Sequence, residues 1–251
     1  MTRKTVAYII AAILCLAAVS CKKDNTIQYN NATMGNVVNG IFTSDQGNIF
    51  NVAEQNCAGR LDTMKRAIVI CDVLNKTANG ADNEYDIRLN ALASVLIKDI
   101  VAVGAEAAEE VYVEDPVHIE YLWISGGYIN VYVMMPFKVG SKTAHMVNLV
   151  QQPSEKEGQY ILRLCHNAYG ETMTDTNSHE FVLGGGYVSF PINTIMQEEE
   201  AELKIEWKWY QSAGPGISQV TEYKSIEGTY KKDGYQHVPE ALTAKTKAAL
   251  K

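Results

Sequence analysis

The sequence has no excess of positive charge. It contains 22 Lys and Arg residues and 29 Asp and Glu residues, which gives a formal net charge of −7. Nucleic-acid binding needs clustered cations that displace counterions from phosphates, so this composition argues against a nucleic-acid partner. Long apolar runs are also lacking after residue 20, which argues against a polytopic membrane protein. The length of 251 residues allows one large domain or two small ones.

Common catalytic motifs are missing as well. The sequence contains no Gly-x-Ser-x-Gly, no His-Glu-x-x-His, no Gly-x-x-x-x-Gly-Lys and no Cys-x-x-Cys. The five histidines are scattered, and no two have a helical or strand spacing that predicts a shared metal site. His166 is in phase with two leucines, so we expect it to pack at a strand end. We therefore expect a non-enzymatic protein without a metal or cofactor.

The N-terminus has the pattern of an export signal. Arg3 and Lys4 precede an apolar run at 6–19, and small residues lead to Cys21. A small residue directly before a cysteine suits a lipoprotein signal peptidase, which predicts a signal peptide at 1–20 and a lipid on Cys21. The alternative is cleavage by the ordinary signal peptidase, which would leave Cys21 as a free thiol.

Acylation of Cys21 would anchor the protein in a membrane without any other membrane contact. We therefore expect a lipid-anchored protein of the cell envelope, held at the outer membrane. The residues after Cys21 carry one aspartate rather than an acidic run, which leaves the periplasmic face and the cell surface both open. Few apolar residues follow up to 35, so 21–35 is predicted to be a tether.

Three cysteines remain beyond Cys21, namely Cys57, Cys71 and Cys165. Because their number is odd, one chain can form at most one disulfide among them. Export permits such a bond but nothing in the sequence requires it. Cys71 and Cys165 lie in strand-like runs, where a free cysteine behaves as a small apolar side chain.

Short β-prone runs separated by turn residues recur along the chain. They fall at 37–43, 48–52, 65–73, 85–101, 117–123, 128–137, 145–150, 160–166, 181–190 and 202–210. The run 85–101 also fits a helical pattern, but its polar and apolar residues alternate from the start, which favours a strand with a bend or bulge near 91–94. The sequence therefore predicts an all-β protein.

The stretch 104–115 is small and acidic and ends in an Asp-Pro pair, which predicts a linker between two domains. The first domain then covers 36–103. The even spacing of the strands in 116–232 predicts a β-sandwich. The segment 233–251 is rich in Lys and Ala and is predicted to be a C-terminal tail.

One strand offers a candidate binding face. Tyr128, Asn130 and Tyr132 share one side of the strand 128–137, and apolar residues share the other. An outward-facing pair of tyrosines with an amide would suit a protein or a sugar partner. The alternative is that these side chains form contacts between strands or sheets.

Several short segments, in their order along the chain, resemble the NigD-like lipoproteins. They are NGIFTSDQG at 39–47, RAIVICD at 66–72, DPV at 115–117, WISGGYINV at 123–131, LRLCHNAYG at 162–170 and VSFP at 188–191. The resemblance spans most of the chain after the signal peptide. It implies an N-terminal OB-type β-barrel followed by an immunoglobulin-like β-sandwich.

This resemblance implies less about function than about the fold. The family takes its name from an immunity protein encoded beside a bacteriocin, and most members have no established activity. The resemblance therefore implies a binding or protective module with a protein partner, either a bacteriocin or an envelope protein. The alternative is a glycan-binding accessory of a surface nutrient-capture system.

Overall fold

A computed structural model describes residues 27–174, 177–213 and 216–232, whose regular elements are β-strands and short 3₁₀ helices. The predicted all-β class is confirmed. Within these ranges no helix is both long and apolar enough to cross a membrane. The predicted signal peptide 1–20, the predicted lipid attachment site Cys21 and the predicted tail 233–251 lie outside the described residues.

Five strands close into an N-terminal barrel. They are β1 (Ile27–Val38), β2 (Ile41–Ser44), β3 (Ile49–Gln55), β4 (Arg66–Lys76) and β5 (Glu84–Ser94). Their order around the barrel is β1-β2-β3-β5-β4, and β1 pairs with β4 to close it. Only β3 and β5 are parallel among these neighbours. A five-stranded closed barrel is the expected OB-type architecture.

Alternating apolar side chains fill the barrel, because successive residues of a strand point to opposite faces. Phe42 and Phe50 stack with ring centroids 5.9 Å apart, and Ile87 of β5 is fully buried in the same core. Strand β4 is buried on both faces, since Val69 belongs to the barrel core and Ile68 packs toward the second domain.

Eight further strands form two four-stranded sheets. The first contains β6 (Leu96–Ile97), β7 (His118–Ser125), β8 (Tyr128–Lys138) and β11 (Phe181–Pro191), in the order β6-β11-β8-β7. The second contains β9 (Met146–Gln152), β10 (Gln159–Asn167), β12 (Glu200–Ala213) and β13 (Gly216–Lys231), in the order β13-β12-β10-β9. Val131, Leu164 and Trp207 belong to one core shared by both sheets, which makes this domain the expected sandwich.

The predicted tether 21–35 is wrong from Ile27 onward. Strand β1 begins there, and Ile27 is already paired with Val73 of β4. The segment has few apolar residues, but Ala32 and Met34 are buried in a cluster that also contains Trp123 of the sandwich. The composition of this segment predicted a flexible chain. Backbone pairing and two buried side chains make it a strand.

The predicted domain boundary lies too late. The barrel ends with β5, whereas β6 pairs with β11 and Ile100 packs in the sandwich core, so 96–103 does not belong to the barrel as predicted. The predicted strand at 85–101 is extended only up to Ile97, as β5 and β6, with a bulge at Asn90. The alternation of polar and apolar residues continues across the boundary between the two domains, because only Val95 separates β5 from β6.

The predicted linker 104–115 packs on the sandwich instead of spanning a gap. It contains the 3₁₀ helix Glu109–Tyr112, and Asn167 Nδ2 donates to the main-chain oxygen of Glu110 at 3.2 Å. The Asp115 N–H donates to the His166 carbonyl at 2.8 Å. The remaining 3₁₀ helices are Leu61–Thr63, Ser178–Glu180 and Ile192–Thr194.

Candidate functional site

The predicted binding face of β8 points toward the barrel. Asn130 is fully buried, so its predicted role on an outward binding face is wrong. Tyr132 is half-buried, with its ring centroid 4.5 Å from that of Tyr187 and 6.1 Å from that of Tyr121. These are cross-strand contacts, the alternative weighed for this face. Tyr128 alone borders an open cleft.

The centre of the seam between the two domains is a buried ion pair. Arg66 begins β4, and Asp45 lies in the turn after β2. Their side chains are 0% and 1% exposed, and Arg66 Nη2 lies 2.7 Å from Asp45 Oδ2. Arg66 Nη1 donates to the other carboxylate oxygen at 2.9 Å, so the contact is bidentate.

Every N–H of the Arg66 guanidinium has an acceptor. Nε donates to Ser189 Oγ at 2.9 Å, and Nη1 donates to Asn36 Oδ1 at 2.9 Å in addition to Asp45. Nη2 donates to Asp45 Oδ2 and, at 3.0 Å, to Asn130 Oδ1. A buried charge is tolerated only when it is paired and fully hydrogen bonded, and here two of the acceptors come from the sandwich.

The carboxylate of Asp45 is held in the same way. Ser125 Oγ donates to Asp45 Oδ2 at 2.5 Å and itself accepts from Trp123 Nε1 and Asn130 Nδ2, both at 3.1 Å. Gly126 adjoins this contact, and a Cβ atom there would clash with Asp45 Oδ1. A glycine is therefore required at 126 by the close approach of the barrel carboxylate.

Apolar contacts continue the seam beside the ion pair. Met34 and Ile68 of the barrel are buried in one cluster with Trp123 of the sandwich and Val95 of the junction. Burial of such side chains contributes roughly 1.5–3 kcal/mol each. The polar network and this cluster together join the barrel and the sandwich into one unit.

A cleft of about 300 Å³ opens at the edge of the seam. Tyr128 forms one wall, and its ring lies over the Arg66 guanidinium with the carbon Cζ 4.1 Å from the ring centroid. Other lining residues come from β1, from the segment after β11 and from the end of β13, among them Asn36, Pro191, Asn193, Met196 and Glu198. Clefts at domain interfaces are preferred locations for small-ligand sites.

A second polar cluster lies inside the sandwich. His145 Nδ1 and His166 Nε2 are 3.1 Å apart, and both rings are buried. Burial, reinforced by the neighbouring His145, lowers the pKa of His166 to about 4. Burial also lowers the pKa of His145, although Glu171, with Oε2 3.8 Å from His145 Nε2, opposes that effect. Both rings are therefore neutral at pH 7 and form part of the core.

The cysteines are free thiols in the described residues. Burial raises the pKa of Cys71 to about 12, and it does the same for Cys165. Cys57 is half-buried, and its pKa is raised less. None of the three is activated for nucleophilic chemistry.

One long edge of the sandwich is uncovered by any described strand. Strand β6 pairs with β11 only at Val188 and Ser189, where the Lys98 N–H donates to the Ser189 carbonyl at 3.2 Å. Since main-chain groups alternate along a strand, those of Leu183 and Gly185 point to the same outer side as those of Ser189. Val182 is 57% exposed and Leu183 is 46% exposed. No charged residue occurs in 181–190.

Sequence reasoning missed the buried network, although the segments that carry the family resemblance contain all of its residues except Asn36. Asp45 lies in 39–47, Arg66 begins 66–72, Ser125 and Asn130 lie in 123–131, and Ser189 lies in 188–191. An arginine directly before the apolar run 67–71 was the available signal. It was missed because the partners of Arg66 are up to 123 positions away. The approach of His145 to His166 was missed because no spacing rule relates β9 to β10.

Comparisons with known proteins agree with this architecture. Residues 99–221 match the model of the NigD-like C-terminal beta sandwich domain. No curated protein matches the chain. A protein of unknown function from Bacteroides vulgatus is 19% identical with a TM-score of 0.57, and the match covers 87% of this chain and 97% of that one.

Two further solved structures share the fold. A NigD-like immunity protein from Bacteroides caccae is 17% identical with a TM-score of 0.52, and the match covers 81% of this chain and 97% of that one. A candidate lipoprotein from Bacteroides fragilis is 15% identical with a TM-score of 0.55, with coverage of 81% and 99%. Residues 99–221 therefore form a NigD-like C-terminal beta sandwich domain, and the expected resemblance to the NigD-like family is confirmed.

Proposed function

We propose that this protein is an exported, non-enzymatic lipoprotein of the cell envelope that binds a protein partner. The observation that carries the proposal is the uncovered edge of β11, presented by two domains that the Arg66 network joins into one unit. An edge strand pairs with another extended segment unless charge, proline or a covering element blocks it. At this edge Val182 and Leu183 are exposed, and three glycines follow them without side chains to obstruct pairing.

The partner expected at this edge is an uncharged, extended segment of another protein. Such a segment would gain main-chain hydrogen bonds to Leu183 and Gly185 and an apolar contact with Val182. Bacteriocin immunity is the specific form that the family name suggests, and the immunity protein from Bacteroides caccae shares the fold. Binding alone would give protection by occluding the bacteriocin, without a chemical step.

We propose that the function involves no chemical step, because the polar groups at the seam are already hydrogen bonded to one another. Ser125 and Ser189 are buried hydroxyls beside a carboxylate, a combination that could suggest a nucleophile. Both are instead consumed in hydrogen bonds that hold the Arg66–Asp45 pair. They are inaccessible to a substrate and are assigned a structural role.

Attachment to the outer membrane through Cys21 completes the proposal. Strand β1 begins at Ile27, six residues after Cys21, and an extended chain spans at most about 3.6 Å per residue. The barrel would therefore lie within roughly 20 Å of the lipid. The fold shared with the candidate lipoprotein from Bacteroides fragilis supports this attachment. Mass spectrometry of the N-terminal peptide tests it, with Cys21→Ala expected to release the protein from membranes.

Photo-cross-linking in native envelopes tests the protein partner. A photoreactive amino acid at Val182 is expected to give one defined adduct with a second protein. The additional change Leu183→Lys should abolish the adduct, because a charge on an edge strand disfavours pairing. Val38→Lys, at a residue 66% exposed in β1 of the barrel, is the matched control and should leave the adduct unchanged. An adduct within the same chain, or one insensitive to Leu183→Lys, would overturn the proposal.

A glycan-binding role in nutrient capture is the second candidate. The cleft at the seam favours it, because Tyr128 and two asparagines line a cavity of about 300 Å³. This size lies at the lower end of small-ligand sites. Retention on a glycan array, without any protein adduct, would favour this candidate over the first.

A further inference from the structure

We propose that the cleft at the seam is a binding site for one neutral sugar residue. This inference deepens the glycan-binding candidate, and it stands independently of a protein partner at β11. The cleft is built from both domains, since Asn36 comes from β1 of the barrel and the other lining residues come from the sandwich. A ligand in it would contact side chains whose positions the Arg66 network already fixes.

Asn36 is fixed so that its amide nitrogen is available to a ligand. Arg66 can only donate hydrogen bonds, so the contact of Nη1 at 2.9 Å requires the oxygen of Asn36 to face the guanidinium. The NH₂ group is then directed away from Arg66, and it donates to no residue of the described chain. A preorganised amide donor at the cleft lowers the entropic cost of binding a hydroxyl group.

Further polar groups of the cleft, among them Tyr128, Asn193 and Glu198, together supply donors and acceptors. The hydroxyl of Tyr128 and the side-chain amide of Asn193 bond to no other residue in the described ranges. Glu198 uses Oε2 to accept from Tyr160 and from the N–H of Gln197, which leaves Oε1 as an acceptor. A mixed set of donors and acceptors fits sugar hydroxyls, each of which can do both.

Charge and shape narrow the ligand class. Glu198 and Lys232 give the lining of the cleft one negative and one positive charge, so the lining favours neither an anion nor a cation. Pro191 and the buried Met196 supply apolar surface for the C–H face of a sugar ring. Gly127 leaves open space beside Tyr128, since a Cβ atom there would meet nothing within 4 Å.

Titration of the isotope-labelled protein with glucose, galactose, mannose and N-acetylglucosamine, each used separately, tests the site by nuclear magnetic resonance. At least one sugar is expected to shift the side-chain amide signals of Asn36 and Asn193 in a saturable way. The double variant Tyr128→Phe/Asn193→Ala should weaken that binding about tenfold, as expected for the loss of one or two hydrogen bonds. Tyr169→Phe, an exposed tyrosine outside the cleft, is the control and should bind normally.

The Tyr128→Phe change keeps the ring over Arg66, so the variant is expected to fold, and its unfolding free energy is measured alongside. No saturable shift with any of the four sugars would overturn the inference. So would shifts that map away from the cleft, or equal affinity in the double variant. These outcomes leave the cross-linking result at β11 unaffected, so failure of the sugar site and failure of the protein partner are distinguishable.

Discussion

Arg66 Nη2 of the barrel donates a hydrogen bond to Asn130 Oδ1 of the sandwich at 3.0 Å, although the two residues are 64 positions apart in the chain. Asn130 can accept there because its amide nitrogen donates to Ser125 Oγ on the other side. The bond therefore fixes the position of the hairpin between β7 and β8 relative to Arg66 of the barrel.

Replacing Arg66 should destabilise the whole protein. Arg66→Met leaves the carboxylate of Asp45 buried without its counterion, which costs about 3–5 kcal/mol. The loss is measured as the free energy of unfolding in urea. Arg60→Met is the control, since Arg60 and its partner Asp62 have side chains 75% and 47% exposed, and it should cost less than about 1 kcal/mol. Equal losses for the two variants would show that the buried pair contributes no more than a surface pair.

Gly126 and Gly127 form a matched pair for testing the close approach of Asp45. Both have positive φ angles, 59° and 81°, so an alanine at either position incurs backbone strain of about 1–3 kcal/mol. Only Gly126→Ala also places a Cβ atom against Asp45. We expect this variant to unfold at a lower urea concentration than Gly127→Ala. The reverse order would contradict the geometry assigned to Asp45.

The buried histidine pair predicts a loss of stability in mild acid. The folded-state pKa of His166 is lowered from 6.5 to about 4, so the unfolded chain binds more protons than the folded one between these values. Stability contributed by the neutral ring is present above pH 6.5 and is lost as the pH falls toward 4, by up to about 3 kcal/mol.

Urea unfolding at pH 7.5, 6, 5 and 4, values chosen as roughly even steps across this window, measures the effect. His166→Gln should flatten the dependence, whereas His118→Gln, at a half-exposed histidine of β7, should not. An unchanged slope in His166→Gln would mean that other groups cause the acid sensitivity.

The three described thiols should differ in reactivity. Cys57 is half-buried, whereas burial keeps Cys71 and Cys165 protonated with pKa values of about 12. Iodoacetamide at pH 8 should therefore alkylate Cys57 in the folded protein much faster than the other two. Peptide mass spectrometry reads the three sites separately, and labelling in urea should make their rates similar. Rapid labelling of Cys71 in the native state would indicate that the barrel opens locally.

The sequence was informative wherever local alternation decides the structure. The strands that carry Ile87 and Trp207 follow directly from period-two patterns, and the resemblance supplied the arrangement of the two domains. The composition of β1 wrongly predicted a tether, because strand formation there depends on pairing with β4 and on burial of Met34 beside Trp123. These are long-range contacts that a local pattern does not encode.

The candidate site was predicted less well than the fold. Tyr128, Asn130 and Tyr132 share one side of β8, as expected, but the barrel covers that side. A strand pattern identifies residues that share a face without identifying what lies opposite. What lies opposite β8 depends on the packing of Asp45 of the barrel against Gly126 of the sandwich. This contact forms only when both domains are folded.

The passage from β5 to β6 through Val95 alone has a consequence for how such proteins can diversify. Val95 is buried and its N–H donates to the Arg66 carbonyl, so the chain has no spare length at which one domain could be exchanged for another. A foreign sandwich grafted onto this barrel would have to bring its own acceptors for Arg66, in the places of Asn130 and Ser189. Recombination between relatives is therefore expected to move the barrel and the sandwich together.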